Sequence, residues 1–221
     1  AYAVQRKRSA TMNESVPVLA IDGPSGSGKG TLAAWMATEL DWHLLDSGAL
    51  YRIVAAMAVR QGLDVDAEPT MQALAESLDI AFPDGKVLVD GLDLTDEIRT
   101  EDIGVMASRV AALPAVRGAI LQLQRNFAKA PGLVADGRDM GTVVFPHAVL
   151  KIFLDASAQA RAERRYNQLK NKGLSVSLRD LLEQIQERDA RDRERATAPL
   201  KPATDAMLID STQMTIQEVC N

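Results

Sequence analysis

One cysteine, Cys220, and two histidines are all that 221 residues offer of the side chains that build disulfides and zinc sites. An internal disulfide is therefore excluded, no Cys/His cluster has zinc spacing, and a reducing, cytoplasmic setting is the expectation. No stretch approaches the ~20 uncharged apolar residues of a spanning helix, and no signal-peptide pattern opens the chain. A basic excess is missing as well. Thirty acidic residues against 25 Lys and Arg leave a net charge of −5, which argues against a surface for nucleic-acid polymers but leaves room for a local basic pocket. No Ser/His/Asp spacing points to a hydrolase, and no internal repeat or low-complexity stretch occurs. Aromatic residues make up only 4%, yet 47% of the chain is apolar, enough to bury a core and too much for disorder as the main state.

The ends read differently from the middle. Residues 1–15 carry Arg6, Lys7 and Arg8 with no apolar period and read as a disordered tail, within which Met12 could serve as a natural start. Near the other end, Thr215 and Glu218 have capping-box spacing. The chain stops at Asn221 before a second turn, so the expectation is that a terminal helix has been cut. A single folded domain is expected over residues 16–221.

Five short apolar runs recur at helix-length intervals: Val18–Ile21, Trp42–Leu45, Leu133–Ala135, Val149–Leu154 and Met207–Ile209. They lack polar alternation, which predicts strands buried on both faces of a parallel sheet. Amphipathic segments fall between and beside them, at about Thr31–Leu40, Leu50–Gln61, Ala115–Lys129, Ala158–Lys172 and Leu178–Arg195. Strand alternating with helix is the pattern of a wound α/β sheet. One region departs from it: Leu78–Phe82, Lys86–Val89 and Leu92–Leu94 are separated by Asp84-Gly85 and Asp90-Gly91, which predicts a small antiparallel insertion.

The first run leads directly into Gly23-Pro24-Ser25-Gly26-Ser27-Gly28-Lys29-Gly30-Thr31 and a helix. Glycines and small residues let the backbone amides converge on one anion, the helix start adds positive dipole, and Lys29 can reach nucleotide phosphates. Gly30 stands where Ser or Thr commonly supplies a magnesium hydroxyl. A Mg²⁺ ion is therefore expected on Thr31 or through waters. The Gly-Lys-Gly-Thr ending, with no Asn-Lys-x-Asp motif in the chain, points away from GTPases and motor ATPases toward small kinases.

Phosphoryl transfer needs cations around both the moving group and its acceptor. Ser47 and Arg52 follow the second run, and Arg138 and Asp139 follow the third, so both pairs fall at the carboxyl edge of the sheet, where ligands of open α/β folds bind. Arg188, Asp192 and Arg195 share one helical face; a solvated, self-paired surface helix is the competing reading of that stretch. Arg161, Arg164 and Arg165 lie on the preceding helix. Two Arg-rich helices joined by a short turn look like a mobile lid, against the alternative of plain surface helices. Asp22 either serves the loop or holds a backbone turn, and Asp136 has a Walker-B-like position or merely caps a turn. His43 is expected to be packed in a buried strand, and His147 to lie in a loop.

Taken together, the segments I-D-G-P-S-G-S-G-K-G-T (21–31), L-D-S-G-A-L-Y-R (45–52), D-E-I-R-T (96–100), A-D-G-R-D-M-G-T-V-V-F-P (135–146), K-I-F-L-D-A-S (151–157) and R-D-A-R-D-R-E-R-A-T-A-P-L (188–200) make the chain resemble the bacterial cytidylate kinases. The likeness runs from Val16 to Val219. It implies a P-loop nucleoside-monophosphate-kinase fold: a five-stranded parallel sheet flanked by helices, an antiparallel monophosphate-binding insertion at about 62–112 and a helical lid at about 157–176. It also implies transfer of the γ-phosphoryl of ATP to CMP or dCMP with Mg²⁺. On this likeness Gly23–Thr31, with Arg161 and Arg165, would hold the donor. Ser47, Arg117, Asp139 and Arg195 match positions around cytosine, Ser108, Arg188 and Asp192 those near the pentose, and Arg52 and Arg138 those near the acceptor phosphate. Lys29, Arg138 and Arg188 would serve the transfer itself.

The chemistry is consistent with that likeness. A carboxylate such as Asp139 can accept from the cytosine amino group, whereas uracil would oppose it with a carbonyl. Another small kinase acting on UMP, AMP or a non-nucleotide acceptor, and a nucleotide-binding module without catalysis, stay open at this point. No interface stripe calls for more than a monomer.

Overall fold

The computed structural model describes residues 16–220; the tail expected at 1–15 lies outside the described residues. Five strands, β1 (Val18–Asp22), β2 (His43–Asp46), β6 (Leu133–Gly137), β7 (Leu150–Asp155) and β8 (Met207–Asp210), form one parallel sheet in the order β2-β6-β1-β7-β8. The central three are buried along nearly their whole length, as their unbroken apolar runs predict. The outer two are not. His43 and Leu44 on β2 and Met207 and Leu208 on β8 are exposed, because each lies at an edge. His43 is thus not packed in the interior, and its Nε2 lies 2.9 Å from the Ala130 carbonyl oxygen.

Helices cover both faces. On one, α1 (Lys29–Leu40) sets Leu32, Ala33 and Ala37 against Leu19, Ile21, Ile152 and Leu154, with α8 (Ile216–Cys220) alongside. On the other, α2 (Ser47–Arg60) and α5 (Pro114–Arg125) meet Val18, Ala20, Leu133 and Ala135. Leu50, Ile53, Val54 and Met57 make α2 the apolar centre of the domain, each burial contributing ~1.5–3 kcal/mol before entropy is counted. The Thr215–Glu218 capping box forms: Glu218 accepts from the Thr215 amide (2.7 Å), and its own amide donates to Thr215 Oγ1 (3.3 Å).

The insertion is more helical than expected. Its sheet consists of three two-residue strands, β3 (Ile80–Ala81), β4 (Leu88–Val89) and β5 (Leu92–Asp93). Asp90-Gly91 makes the tight turn, with φ of 50° and 81° at its two residues. Asp84-Gly85 instead ends a 3₁₀ turn, Pro83–Gly85. Flanking the strands are α3 (Glu68–Ser77) and α4 (Glu101–Val110), two helices absent from the expectation although Met71, Leu74 and Ala75, and Ile103, Ala107 and Val110, fall at helical spacing. Neither start makes a side-chain cap hydrogen bond, yet Pro69 with Glu68 in α3, and Thr100 followed by Glu101 and Asp102 in α4, are helix-start signals. Finally α6 (Ala158–Asn171) and α7 (Leu178–Glu194) pack on each other, joined through Gly173 at φ 77°. Among the described residues no single helix is long and apolar enough to cross a membrane.

Candidate active site

Every chemically interesting segment leaves the carboxyl edge of the sheet. The glycine-rich loop follows β1, Ser47 follows β2, Arg138 and Asp139 follow β6, and Ser211 follows β8. Gly23 cannot be replaced without moving the loop, since a Cβ there would meet the Leu154 carbonyl oxygen at 2.1 Å. Gly28 caps α1 at φ 98°, a conformation that favours glycine. Lys29 is buried at the helix start and donates to the Pro24 carbonyl (3.2 Å), with Asp136 at 3.8 Å. Burial, reinforced by Arg138, pushes the Lys29 ammonium down, and burial pushes the Asp136 carboxyl up. Asp136 Oδ1 and Ser27 Oγ are buried with no hydrogen-bond partner among the described residues.

Asp22 holds a backbone turn. Its two carboxylate oxygens accept from the Met140 and Gly141 amides, each at 2.8 Å, tying the start of the phosphate loop to the Asp-Met-Gly-Thr segment. Burial raises its carboxyl to about 7 despite those two bonds.

Ser47, Arg52, Ser108, Arg117, Arg138, Asp139, Arg188, Asp192 and Arg195, drawn from α2, α4, α5, the turn after β6 and α7, line a single cleft. Five guanidiniums face two carboxylates there, an excess of three positive charges. Arg117 pairs with Asp139 at 2.5 Å and also donates to the Ala111 carbonyl (2.9 Å). Arg138 Nε donates to Asp192 at 3.0 Å. Burial alone would raise the Asp192 carboxyl, but Arg138, Arg188 and Arg195 outweigh it and hold it below its ordinary value. Burial and the neighbouring Arg138 lower Arg188 to about 10. Arg188 Nε and Arg195 Nη2 are buried without a partner among the described residues, so donor capacity is left over inside the cleft. Arg52 is directed by the carbonyls of Ile98 (2.7 Å) and Thr100 (3.1 Å). The cleft measures about 50 Å³, against the ~300 Å³ or more of ordinary ligand pockets, so a nucleotide enters only if its walls part.

The arginine-rich helices are not a solvated surface. Arg161 is 2% exposed and bonds Asp189 on α7, the Ala156 carbonyl (2.9 Å) and the Ser25 carbonyl of the phosphate loop (3.1 Å). Arg165 pairs with Glu101 on α4, and Arg191 donates to Ser108 Oγ (3.0 Å), so α6 and α7 are bridged to the insertion. Thr31 is exposed.

Three further residues belong to this region but escaped the sequence reading. Ser211 Oγ lies 3.0 Å from both the Ser27 and the Asp155 carbonyl oxygens, which share its one proton, and Arg164 closes the same corner through Ser211 and Met214. Tyr51 lines the cleft beneath Arg117, whose guanidinium carbon is 5.3 Å from the ring centre. Gln124 donates to Ser47 Oγ at 2.8 Å. Tyr51 carries a signal, lying one helical turn after Ser47 in the L-D-S-G-A-L-Y-R segment. Gln124 carries one only in retrospect, as a polar residue on the buried face of α5, seven residues after Arg117.

Comparison with known proteins agrees with this geometry. A family model described as cytidylate kinase matches residues 19–221. A curated cytidylate kinase of Pseudomonas aeruginosa (strain LESB58) is 60% identical over 214 residues, covering 94% of this chain and 93% of the relative. That of Photobacterium profundum is 56% identical over 212 residues, with 94% and 93% covered. A third, from Aeromonas hydrophila subsp. hydrophila, is 56% identical over 212 residues, with 94% and 92% covered. With the phosphate loop and the arginine-lined cleft side by side on one sheet edge, and these relatives aligned over nearly the whole length, the chain belongs to the cytidylate kinase family.

Proposed function

We propose that this chain transfers the γ-phosphoryl group of ATP to CMP and dCMP, giving ADP and the diphosphate. The observation that carries the reading is the excess of three positive charges in the cleft beside the phosphate loop. A monophosphate brings about −1.5 to −2 charges near neutral pH and suits that excess. A protein that only sensed ATP would have no use for it. What speaks against a UMP-directed kinase is Asp139, a carboxylate where uracil would present a carbonyl.

In this reading the loop Gly23–Thr31 and Lys29 hold the donor phosphates, and Arg52 and Arg138 receive the acceptor phosphate. Ser47, Arg117, Asp139 and Arg195 serve the base; Ser108, Arg188 and Asp192 serve the pentose. Lys29, Arg138 and Arg188 spread positive charge around the moving phosphoryl group, so the protein acts by positioning and electrostatics and needs no strong base. Arg161 and Arg165, expected on the donor, are instead engaged by Asp189 with the Ser25 carbonyl and by Glu101, so Arg161 contributes by fixing the phosphate loop to α6 and α7, and Arg165 by joining α6 to the insertion. Residues about 157–176 act as the lid and 62–112 as the monophosphate-binding part, closing to exclude water and limit wasted hydrolysis of ATP.

The residues present fit Mg²⁺. Asp136 Oδ1 is buried with no hydrogen bond and only Lys29 Nζ facing it at 3.8 Å, and Gly30 leaves open the space where a Cβ would stand 3.2 Å from Asp136 Oδ2. Asp136 and, on the outer side, Thr31 would hold the ion directly or through waters. When bound, Mg²⁺ neutralises charge on the donor phosphates. The same proposal has the chain acting as a monomer on small molecules in the cytoplasm.

The test is ADP production from MgATP with CMP, dCMP, UMP, AMP and GMP supplied separately. Strong turnover with CMP and dCMP, weak with UMP and none with the purines, is expected. Preference for another acceptor overturns the base assignment, and tight ATP binding with no turnover on any of the five overturns catalysis.

A further inference from the structure

Gln124 is a polar residue in an apolar position. It sits on the face of α5 that buries Val116 and Ile120, it is 1% exposed, and it does not line the cleft. A carboxamide placed there is unfavourable unless it is hydrogen-bonded. Its bond is to Ser47, 77 residues away at the first position of α2, where Nε2 donates to Oγ at 2.8 Å. A serine hydroxyl owns one proton and two lone pairs. With a lone pair taken by Gln124 and no acceptor for its proton among the described residues, the Ser47 O–H is left to point into the cleft that Ser47 lines. Tyr51, one turn further along α2, repeats the pattern. Its phenol is buried beside the same carboxamide, whose donor side opposes the burial that pushes it up to about 12, and its proton has no acceptor among the described residues. Both hydroxyls therefore keep protons free to donate.

We infer that Gln124 is a specificity-determining positioning residue, which turns the Ser47 hydroxyl into a hydrogen-bond donor toward the acceptor base. The inference rests on the base-reading role proposed for Ser47. Cytosine offers two ring-edge acceptors, N3 and O2, beside its amino group. Uracil carries a proton on N3. A fixed donor aimed at N3 therefore favours cytosine over uracil independently of Asp139, whereas O2 is common to both bases, and the residue that fixes the donor never touches the nucleotide.

The experiment compares kcat/KM for CMP and UMP in the full chain and in Gln124→Met, Gln124→Glu and Ser47→Ala, alone and combined. Gln124→Met releases the hydroxyl. Gln124→Glu, assayed at alkaline pH so that the buried carboxyl is ionised, presents only acceptors and draws the Ser47 proton away from the cleft. A lost or misdirected hydrogen bond of ordinary strength lowers the CMP-to-UMP ratio about five- to ten-fold, with the glutamate variant at least as affected as the methionine one. The change falls mainly on KM for CMP, and adding Ser47→Ala to Gln124→Glu changes the ratio less than about two-fold. A merely structural role would lower both rates together and leave the ratio alone. If circular dichroism shows that the glutamate variant is unfolded, the methionine variant decides. A ratio unchanged in folded Gln124 variants while Ser47→Ala lowers it overturns this inference alone. No turnover of CMP by the unaltered chain overturns the proposed function and this inference with it.

Discussion

Replacing Asp139 by alanine strips a buried arginine of its carboxylate, and the consequence for stability can be worked from the surroundings. The side chains of Arg117 and Asp139 are 7% and 3% exposed, so neither water nor salt screens the pair to any extent. Breaking such a pair on one side costs about 3–5 kcal/mol, because the remaining charge stays desolvated. Arg117 keeps the Ala111 carbonyl at 2.9 Å and the face of Tyr51 at 5.3 Å, which places the loss at the lower end, about 3 kcal/mol. In a domain of this size that lowers Tm by roughly 6–12 °C. The positive excess of the cleft rises from three to four at the same time. Removing both charges, with Arg117→Met and Asp139→Ala together, leaves neither member of this pair buried without its partner and restores most of the stability. Calorimetry on the nucleotide-free single and double variants is the assay. A single variant within about 2 °C of the original chain, or a double variant no more stable than the single, refutes the reasoning. On activity, Asp139→Ala erodes the preference for CMP over UMP, and an unchanged preference moves base reading elsewhere.

Two other predictions come from buried charges. Lys29→Met removes the cation that faces Asp136 at 3.8 Å; kcat falls by about 10²–10³ with an unaltered circular dichroism spectrum, and undiminished turnover would remove Lys29 from the transfer step. Asp22 carries its proton up to about pH 7 when folded but releases it near 3.8 when unfolded. Its contribution to stability is therefore complete below the unfolded value and is lost as pH rises through 7, by up to ~4 kcal/mol. In Asp22→Asn that dependence disappears, so urea midpoints of the variant gain on those of the original chain between about pH 4 and 7; a constant difference would show that Asp22 does not titrate there.

What the sequence made legible followed the physics that writes itself locally. The phosphate loop is readable because its glycines are demanded by backbone geometry, as at Gly23 against Leu154. The strands β1, β6 and β7 are readable because two-sided burial leaves unbroken apolar runs. The same rule misread β2 and β8, whose runs are apolar though each lies at an edge. α3 and α4 were legible in the spacing of Met71, Leu74 and Ala75 and of Ile103, Ala107 and Val110, but the Asp-Gly pairs between them spoke for strands alone. The face of Arg188, Asp192 and Arg195 was ambiguous, since charge alternation looks alike on a solvated helix and on one wall of a cleft. Only the partner, Arg138 from a distant turn, decides between them. Gln124 lay furthest from view, because a residue acting through another leaves no motif of its own.

Because the cleft is far smaller than a nucleotide, the conformer that admits an acceptor is a different member of the ensemble from the one in which Arg117, Arg138 and Arg195 crowd together. Observed acceptor affinity is then the intrinsic affinity scaled by the fraction of molecules that are open. On the proposed lid and monophosphate-binding parts, Arg165–Glu101 and Arg191–Ser108 would act on that fraction, since each joins one part to the other. Substitution at Glu101 or Arg191 can thus shift the concentration range over which the molecule responds while every group around the moving phosphoryl stays as it is.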